Sequence, residues 1–263
     1  MLKDLFTLEG RVALVTGGSR GIGRMIAEGF IMQGAKVYIS SRKPDQCDAA
    51  ATALSAAGGV CISLPQDVST VEGCKALAAR IGALEPKLDI LVNNAGAAWG
   101  AEFTDFPESG WDKVLNLNLK APFFLTQALH AALCASGEVG RPAKVINIAS
   151  IDGIRLNPQE TYSYHASKSG LIYLTRRMAK RLIRDHIVVS CIAPGAFASD
   201  MNRDARDHGD EVAKRIPMRR IGTAEDMAAA AIYLASRAGD YVVGATIPVD
   251  GGVALAEAGG AWA

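Results

Sequence analysis

The sequence predicts an α/β chain in one domain, a doubly wound, seven-stranded parallel sheet with helices on both faces. Three observations carry this expectation. Short apolar, β-branched runs recur along the 263 residues, alanine-rich segments of helical composition separate them, and no Pro/Ser/Gly linker, repeat or low-complexity tract divides the chain. With 49% hydrophobic residues, a chain of this length buries a core large enough to fold without covalent staples.

Strands are expected near 11–16 (RVALVT), 35–40 (AKVYIS), 60–64 (VCISL), 89–93 (DILVN), 144–149 (KVINIA), 187–192 (IVVSCI) and 245–249 (ATIPV). Between them Gly23–Gln33, Asp45–Ala57, Val71–Leu84 and Ser167–Ile183 carry spaced apolar residues that suit helices packed on a sheet. Parallel strands joined this way are linked by right-handed crossovers. The stretch from Gly195 to Gly222 is longer, charged and bounded by Gly and Pro, and reads as a mobile lid or as a surface excursion.

Composition narrows the function classes. A net charge of +1, from 28 Lys+Arg against 27 Asp+Glu, gives no general attraction to nucleic acid or an anionic membrane, and no recognition motif appears. Five cysteines, an odd number without a CxxC pair, fit reduced thiols. The four histidines are read as showing no HxxxH or His/Cys spacing, so no metal is expected. Neither a GxSxG elbow nor a spaced carboxylate pair suggests hydrolysis. The start, MLKDLFTLEGRVALVTGG, has too short an apolar stretch for a signal peptide, and no later segment approaches the roughly 20 apolar residues of a membrane span. A soluble, cytoplasmic protein is expected.

The first strand runs into TGGSRGIG (Thr16–Gly23), which places Gly17, Gly21 and Gly23 at a strand-to-helix turn, with Ser19, Arg20 and Ile22 between them. There the backbone turns tightly, approaches a pyrophosphate, and presents a helix N-terminus to that anion. The spacing departs from GxGxxG, but its place between first strand and first helix is that of a Rossmann dinucleotide site. An acidic residue ending the second strand would select the ribose 2′-hydroxyl of NAD. This chain has Ser40, Ser41 and Arg42 there. Arg42 and Arg20 can clamp a 2′-phosphate, so NADP(H) is the expected cofactor; solvated surface arginines are the alternative.

Tyr164 and Lys168 are four apart, so on a helix they share a face. A free phenol has a pKa of about 10, and a neighbouring ammonium favours its anion, which makes Tyr164 an acid/base candidate. Tyr162 has Ala166 four residues on, so the pair selects Tyr164. Ser150 ends the strand KVINIAS, where ligands bind in such sheets, and NNAG (Asn93–Gly96) closes another strand with the small Ala95 and Gly96. Asn118 in LNLNLKAPFF is either a polar group with dedicated partners or a helix irregularity.

Taken in order, TGxxxGxG, Asp67-Val68, NNAG, Asn118, Ser150, Tyr164-x-x-x-Lys168 and the turn Pro194-Gly195 resemble the short-chain dehydrogenase/reductase family along nearly the whole chain. The resemblance implies a catalytic tetrad of Asn118, Ser150, Tyr164 and Lys168. Lys168 would also bind the nicotinamide ribose and lower the Tyr164 pKa, Ser150 would orient substrate, and Asn118 would anchor a relay water. It further implies that Asp67 and Val68 contact the adenine, that Asn94, with Ala95 and Gly96, lies along the cofactor, and that the backbone after Gly195, through Phe197, meets the nicotinamide carboxamide. A homotetramer is implied as well.

The substrate is expected to be a small carbonyl or alcohol. PGAFASDM and the terminal TIPVDGG resemble the 3-oxoacyl-thioester reductase branch, and ASGEVGRPAK is similar to the β-ketoacyl reductases of rhamnolipid pathways. A sugar, polyol or hydroxysteroid-like alcohol is the alternative. Arg184-Asp185 mixes charge where carrier-protein reductases place an Arg, which counts against a carrier-protein client. Trp99, Phe197 and Met201 either line an apolar pocket or pack. A non-catalytic dinucleotide sensor would show erosion of the Tyr/Lys pair, which is intact here. The terminal VALAEAGGAWA either covers a neighbour's site or frays.

Overall fold

The computed structural model describes residues 4–256; the end of the tail VALAEAGGAWA, from 257 on, lies outside the described residues. Seven strands form one parallel sheet: β1 Val12–Thr16, β2 Lys36–Ser40, β3 Val60–Ser63, β4 Ile90–Asn93, β5 Ala143–Ile148, β6 Ile187–Pro194 and β7 Thr246–Val249. Their order is β3-β2-β1-β4-β5-β6-β7. All seven expected strands are present within a residue or two of their expected bounds. From β1 the chain moves outward to β2 and β3, then returns to lay β4 on the other flank of β1. That reversal opens a crevice at the carboxyl ends of β1 and β4, where open α/β sheets bind ligands.

The helices are α1 Gly21–Met32, α2 Pro44–Ala56, α3 Val71–Leu84, α4 Glu108–Leu115, α5 Ala121–Ala128, α6 His130–Ser136, α7 Tyr162–Leu182, α8 Arg203–Asp207, α9 Gly209–Ala213 and α10 Ala224–Ala235. Successive strand residues face opposite sides, so β1 sends Ala13 and Val15 into one core layer and Leu14 into the other. The first layer joins Val15, Ile39 and Val92 to Ile26 and Phe30 of α1 and Leu234 of α10. The second joins Leu14, Leu91 and Val145 to Leu77 of α3, Leu125 of α5 and Met178 of α7. Each such side chain, buried on folding, contributes about 1.5–3 kcal/mol.

A polar ladder runs through the second layer. Asn93 of β4 donates to Asn147 Oδ1 of β5 (2.9 Å) and to Thr126 Oγ1 of α5 (3.2 Å), and Asn147 donates to Thr175 Oγ1 of α7 (2.9 Å). Both threonine hydroxyls donate onward to helix carbonyls, Pro122 O and Leu171 O. The amides are thus satisfied across the strands and the helices that carry the site, which fixes their register at low dielectric.

Between α4 and α5 lies a π-helical turn, Asn116–Lys120. The extra residue in that turn is the helix irregularity considered for Asn118, and such turns concentrate at functional sites. Residues 195–222 form the two short helices α8 and α9, anchored by buried Ala205 and Ile216.

Candidate active site

The site grows from the turn after β1. Gly17 has φ +65°, a left-handed conformation that favours glycine, and a Cβ there would lie 2.8 Å from Asn94 Nδ2. At Gly23 a Cβ would run into the Gly17 carbonyl and the same amide. The amides of Gly17 and Gly18 donate to Ser40 O (2.7 and 3.3 Å), which sets the turn beside the end of β2 and places Ser41 and exposed Arg42 next to it.

Where α3 and α10 have side-chain caps from Thr70 and Thr223, α1 has none, and no acidic residue stands in its first turn. Its free N–H groups, with Arg20 and Arg24, make an N-terminus fitted to a phosphate. Ser19 lies on this turn, while Ile22 packs on the core and offers the ligand its backbone. A cleft of about 220 Å³ opens here between α1 and lid residues Ala198–Asp200. Asp200 bridges Arg20 (2.6 Å) and Arg206 (2.7 Å), and a Cβ on Gly21 would touch Ser199. The part that Ser199, Asp200 and Arg206 of the lid take in this cleft was not legible in the sequence.

Other expected cofactor residues are placed as follows. Asp67 is exposed, with Oδ1 accepting from Ser69 N (2.9 Å). Val68 has its side chain in the core, and its carbonyl accepts from the Cys74 thiol. The Asn94 amide donates to Thr16 O (2.8 Å) and Gly17 O (3.2 Å), stitching β4 to the glycine turn. Ala95 N donates to Thr16 Oγ1, the same hydroxyl that accepts from Asn94 N. Pro194 closes β6, and Gly195 N donates to Val249 O (2.9 Å). Phe197 is buried in the first core layer against Gly222, so its ring packs and is not a pocket wall. Met201 is exposed; Trp99 lies against Gly110, with Lys113 Nζ 5.0 Å above its ring.

The four tetrad residues come together. Helix α7 starts at Tyr162, five residues before the expected bound, so Tyr164 and Lys168 lie on its first turns. Lys168 is buried, donates to Ile148 O (2.8 Å), and holds Nζ 5.5 Å from the Tyr164 ring centroid. Asn118 accepts from Ala97 N (2.8 Å) and donates to Ala97 O (2.9 Å) and Ser167 Oγ (3.1 Å). Ser167 in turn donates to Tyr164 O (2.8 Å), so this unanticipated hydroxyl couples the π turn to the helix that carries Tyr164 and Lys168. Gly96 packs against Asn118 Oδ1 and Lys168 Nζ. Ser150 Oγ accepts from Asp152 N (3.1 Å), and the Ser150 side chain lies near enough to the Tyr164 hydroxyl to favour its anion.

The electrostatics differ from the expectation of a phenol acidified by its lysine. Burial pushes the Tyr164 phenol up to about 12, against a downward pull from Ser150, and pulls the Lys168 ammonium down to about 8. One Lys168 proton is given to the Ile148 carbonyl, and burial outweighs any help the ammonium gives the phenolate. A phenol kept neutral is a proton donor, suited to a developing alkoxide.

The reading of the histidine spacing is corrected. His130 and Cys134 do have helical i, i+4 spacing on α6, and with Asp185 they bring three metal-ligating atoms within 4.8 Å of one another. Asp185 comes from the turn after α7, which spacing along the chain hides.

Residues 17–254 match the family model described as Enoyl-(Acyl carrier protein) reductase. The chain belongs to the short-chain dehydrogenase/reductase family. It is 47% identical over 253 residues, 95% of this chain and 98% of the other, to the rhamnolipids biosynthesis 3-oxoacyl-[acyl-carrier-protein] reductase of Pseudomonas aeruginosa. It is 39% identical over 260 residues, 96% of this chain and 98% of the other, to the 2-dehydro-3-deoxy-D-gluconate 5-dehydrogenase of Escherichia coli. The Pseudomonas aeruginosa RhlG/NADP active-site complex superposes with a TM-score of 0.92 at 46% identity, covering 96% of this chain and 99% of that one. As a short-chain dehydrogenase/reductase, the chain is an oxidoreductase. No helix among the described residues is long and apolar enough to cross a membrane.

Proposed function

We propose that this enzyme reduces the keto group of a 3-oxoacyl thioester. The cofactor is NADP(H), which supplies or accepts the hydride when bound. The observation that carries the substrate reading is the 47% identity, along 95% of the chain, to a protein of that activity. Exposed apolar side chains support it: Ile154 and Leu156 stand on the loop leaving β5, and Met201 and Met218 on the lid after β6, where an acyl chain needs apolar cover.

With the bound cofactor supplying hydride to the carbonyl carbon, the Tyr164 hydroxyl would give its proton to the carbonyl oxygen, yielding a neutral alcohol and a phenolate that takes a proton back from solvent. Ser150 holds that oxygen beside the phenol. Lys168 keeps the nicotinamide ribose in place, and Gly17, Ser19, Arg20, Gly21, Ile22, Gly23, Ser41, Arg42, Asp67, Val68, Asn94, Ala95, Gly96, Tyr164, Pro194, Gly195 and Phe197 complete the cofactor surface, several through backbone alone. Asn118 acts by position, because its amide is committed to Ala97 and Ser167.

A second reading has its own support: the relative at 39% identity acts on a sugar acid. NADPH consumption with acetoacetyl thioesters, small diketones, keto-gluconates and secondary alcohols separates the two. The thioester is expected to win by at least about tenfold in kcat/KM, and a faster keto-gluconate reverses the assignment.

The lowered lysine sets a pH limit. Lys168 is charged below about 8 and neutral above it, some two units earlier than a free lysine, so kcat/KM for NADPH, which reports the free enzyme, is expected to be level near neutrality and to fall about tenfold per pH unit above that value. A profile level to pH 10 would show that this ammonium is not needed.

We place the enzyme in the cytoplasm, as a homotetramer. The five free cysteines suit a reducing compartment, and β7, a sheet edge with every residue half-buried beside fully exposed Tyr241, is a surface for another copy.

A further inference from the structure

We propose that His130, Cys134 and Asp185 form a binding site for a borderline-soft divalent cation, Zn²⁺ being the best match, at the end of the sheet opposite the active site. The spacing comes first. On α6, residues four apart lie one above the other, so the imidazole and the thiol share a face, and the 3-10 turn Ile183–Asp185 after α7 brings the carboxylate to them. His130 Nε2 lies 3.4 Å from Cys134 Sγ and 2.9 Å from Asp185 Oδ2.

Those separations are close to what the metal requires. Zn–N and Zn–O bonds of about 2.0–2.1 Å and a Zn–S bond of about 2.3 Å, set tetrahedrally, put nitrogen about 3.5 Å from sulfur and about 3.3 Å from oxygen. The imidazole–carboxylate pair must open by about 0.4 Å, the imidazole–thiol pair is already at the required separation, and all three residues are half-buried, so a water can take the fourth position. One nitrogen, one sulfur and one oxygen donor favour zinc over magnesium or calcium, which take oxygen.

The thiol is the reason this is more than an ion pair. Cys134 is the one cysteine of the chain that is not buried, and it has no disulfide partner. A cation displaces the thiol proton to solvent as the Zn–S bond forms. Opposing the cation are Arg181, whose guanidinium lies 2.8 Å from Asp185 Oδ2, and the neighbouring Arg177, Lys180 and Arg184. Arg181 and the metal therefore compete for one carboxylate, which gives the site a moderate affinity.

The ligands surround the entry to β5 and β6: Ala143 N donates to His186 O (3.0 Å), one residue past Asp185. A bound cation ties α6 to that turn and acts on stability, leaving turnover unchanged.

Co²⁺ added to the reduced full-length enzyme is expected to bind one to one with thiolate-to-cobalt charge-transfer absorption, to be displaced by Zn²⁺, and Zn²⁺ is expected to raise Tm. Cys134→Ser should remove the charge-transfer band, His130→Asn should weaken binding by about a hundredfold, and Arg181→Gln should tighten it, with NADPH-dependent activity and circular dichroism reporting that each variant is folded. Because the other four cysteines are buried, the band reports Cys134. A band that survives Cys134→Ser, affinity unchanged in His130→Asn, or no stoichiometric binding to the native enzyme would each overturn the site.

Discussion

Tyr164→Phe is expected to lower kcat for carbonyl reduction by about three orders of magnitude while the Kd for NADPH stays within about twofold. The ring occupies the same space, and the hydrogen bond that fixes this residue, Ser167 Oγ to Tyr164 O, is made to backbone and survives. What goes is the only proton donor in place. Lys168 Nζ lies 5.5 Å from the ring centroid with one proton on Ile148 O, and the Ser150 alcohol is a far weaker acid than a phenol, so neither replaces it well. NADPH absorbance gives kcat and fluorescence titration gives Kd. A variant that keeps more than about a tenth of its turnover would show that the proton comes from elsewhere.

Arg42→Ala is expected to weaken NADPH by about 10–100-fold and to leave NADH nearly unchanged. A charge-assisted bond to phosphate contributes about 1.5–3 kcal/mol, and NADH lacks the group that receives it. Arg42 is the cleaner test of the two arginines. It is exposed beside the glycine turn, whereas Arg20 is held by Asp200 and its removal would also free the lid. Measuring KM for both nucleotides decides it, and equal losses would place the 2′-phosphate elsewhere.

How far the sequence reaches depends on what each residue has to do. The strands were legible because both faces of the sheet are covered, so VALVT or IVVSCI could be nothing but buried runs. Tyr164 and Lys168 were legible because a four-residue interval carries its own geometry. The start of α7 was not: Ser163 and Ser167 occupy buried positions where a periodic pattern looks for apolar side chains, so the segment reads as polar. For the same reason the partner of Asn118 was hidden, since a serine's hydroxyl gains meaning only from what stands across from it. Arg20 with Asp200, and Asp185 with Cys134, are far apart in sequence, and pairs of that kind are set by topology. The phenol's acidity failed for a different cause, because solvent exclusion acts on Tyr164 and Lys168 alike and local spacing says nothing of it.

The wide turn at Asn116–Lys120 matters to anyone who would regularise this scaffold. Trimming one residue to give an ideal helix would gain regular i, i+4 bonding, yet it would rotate everything on one side of the cut by about 100° relative to the other. Leu125 and its neighbours would keep their seat in the core, and Asn118 would swing off the Ala97 peptide. A thermostable redesign made in that way would melt later and work worse.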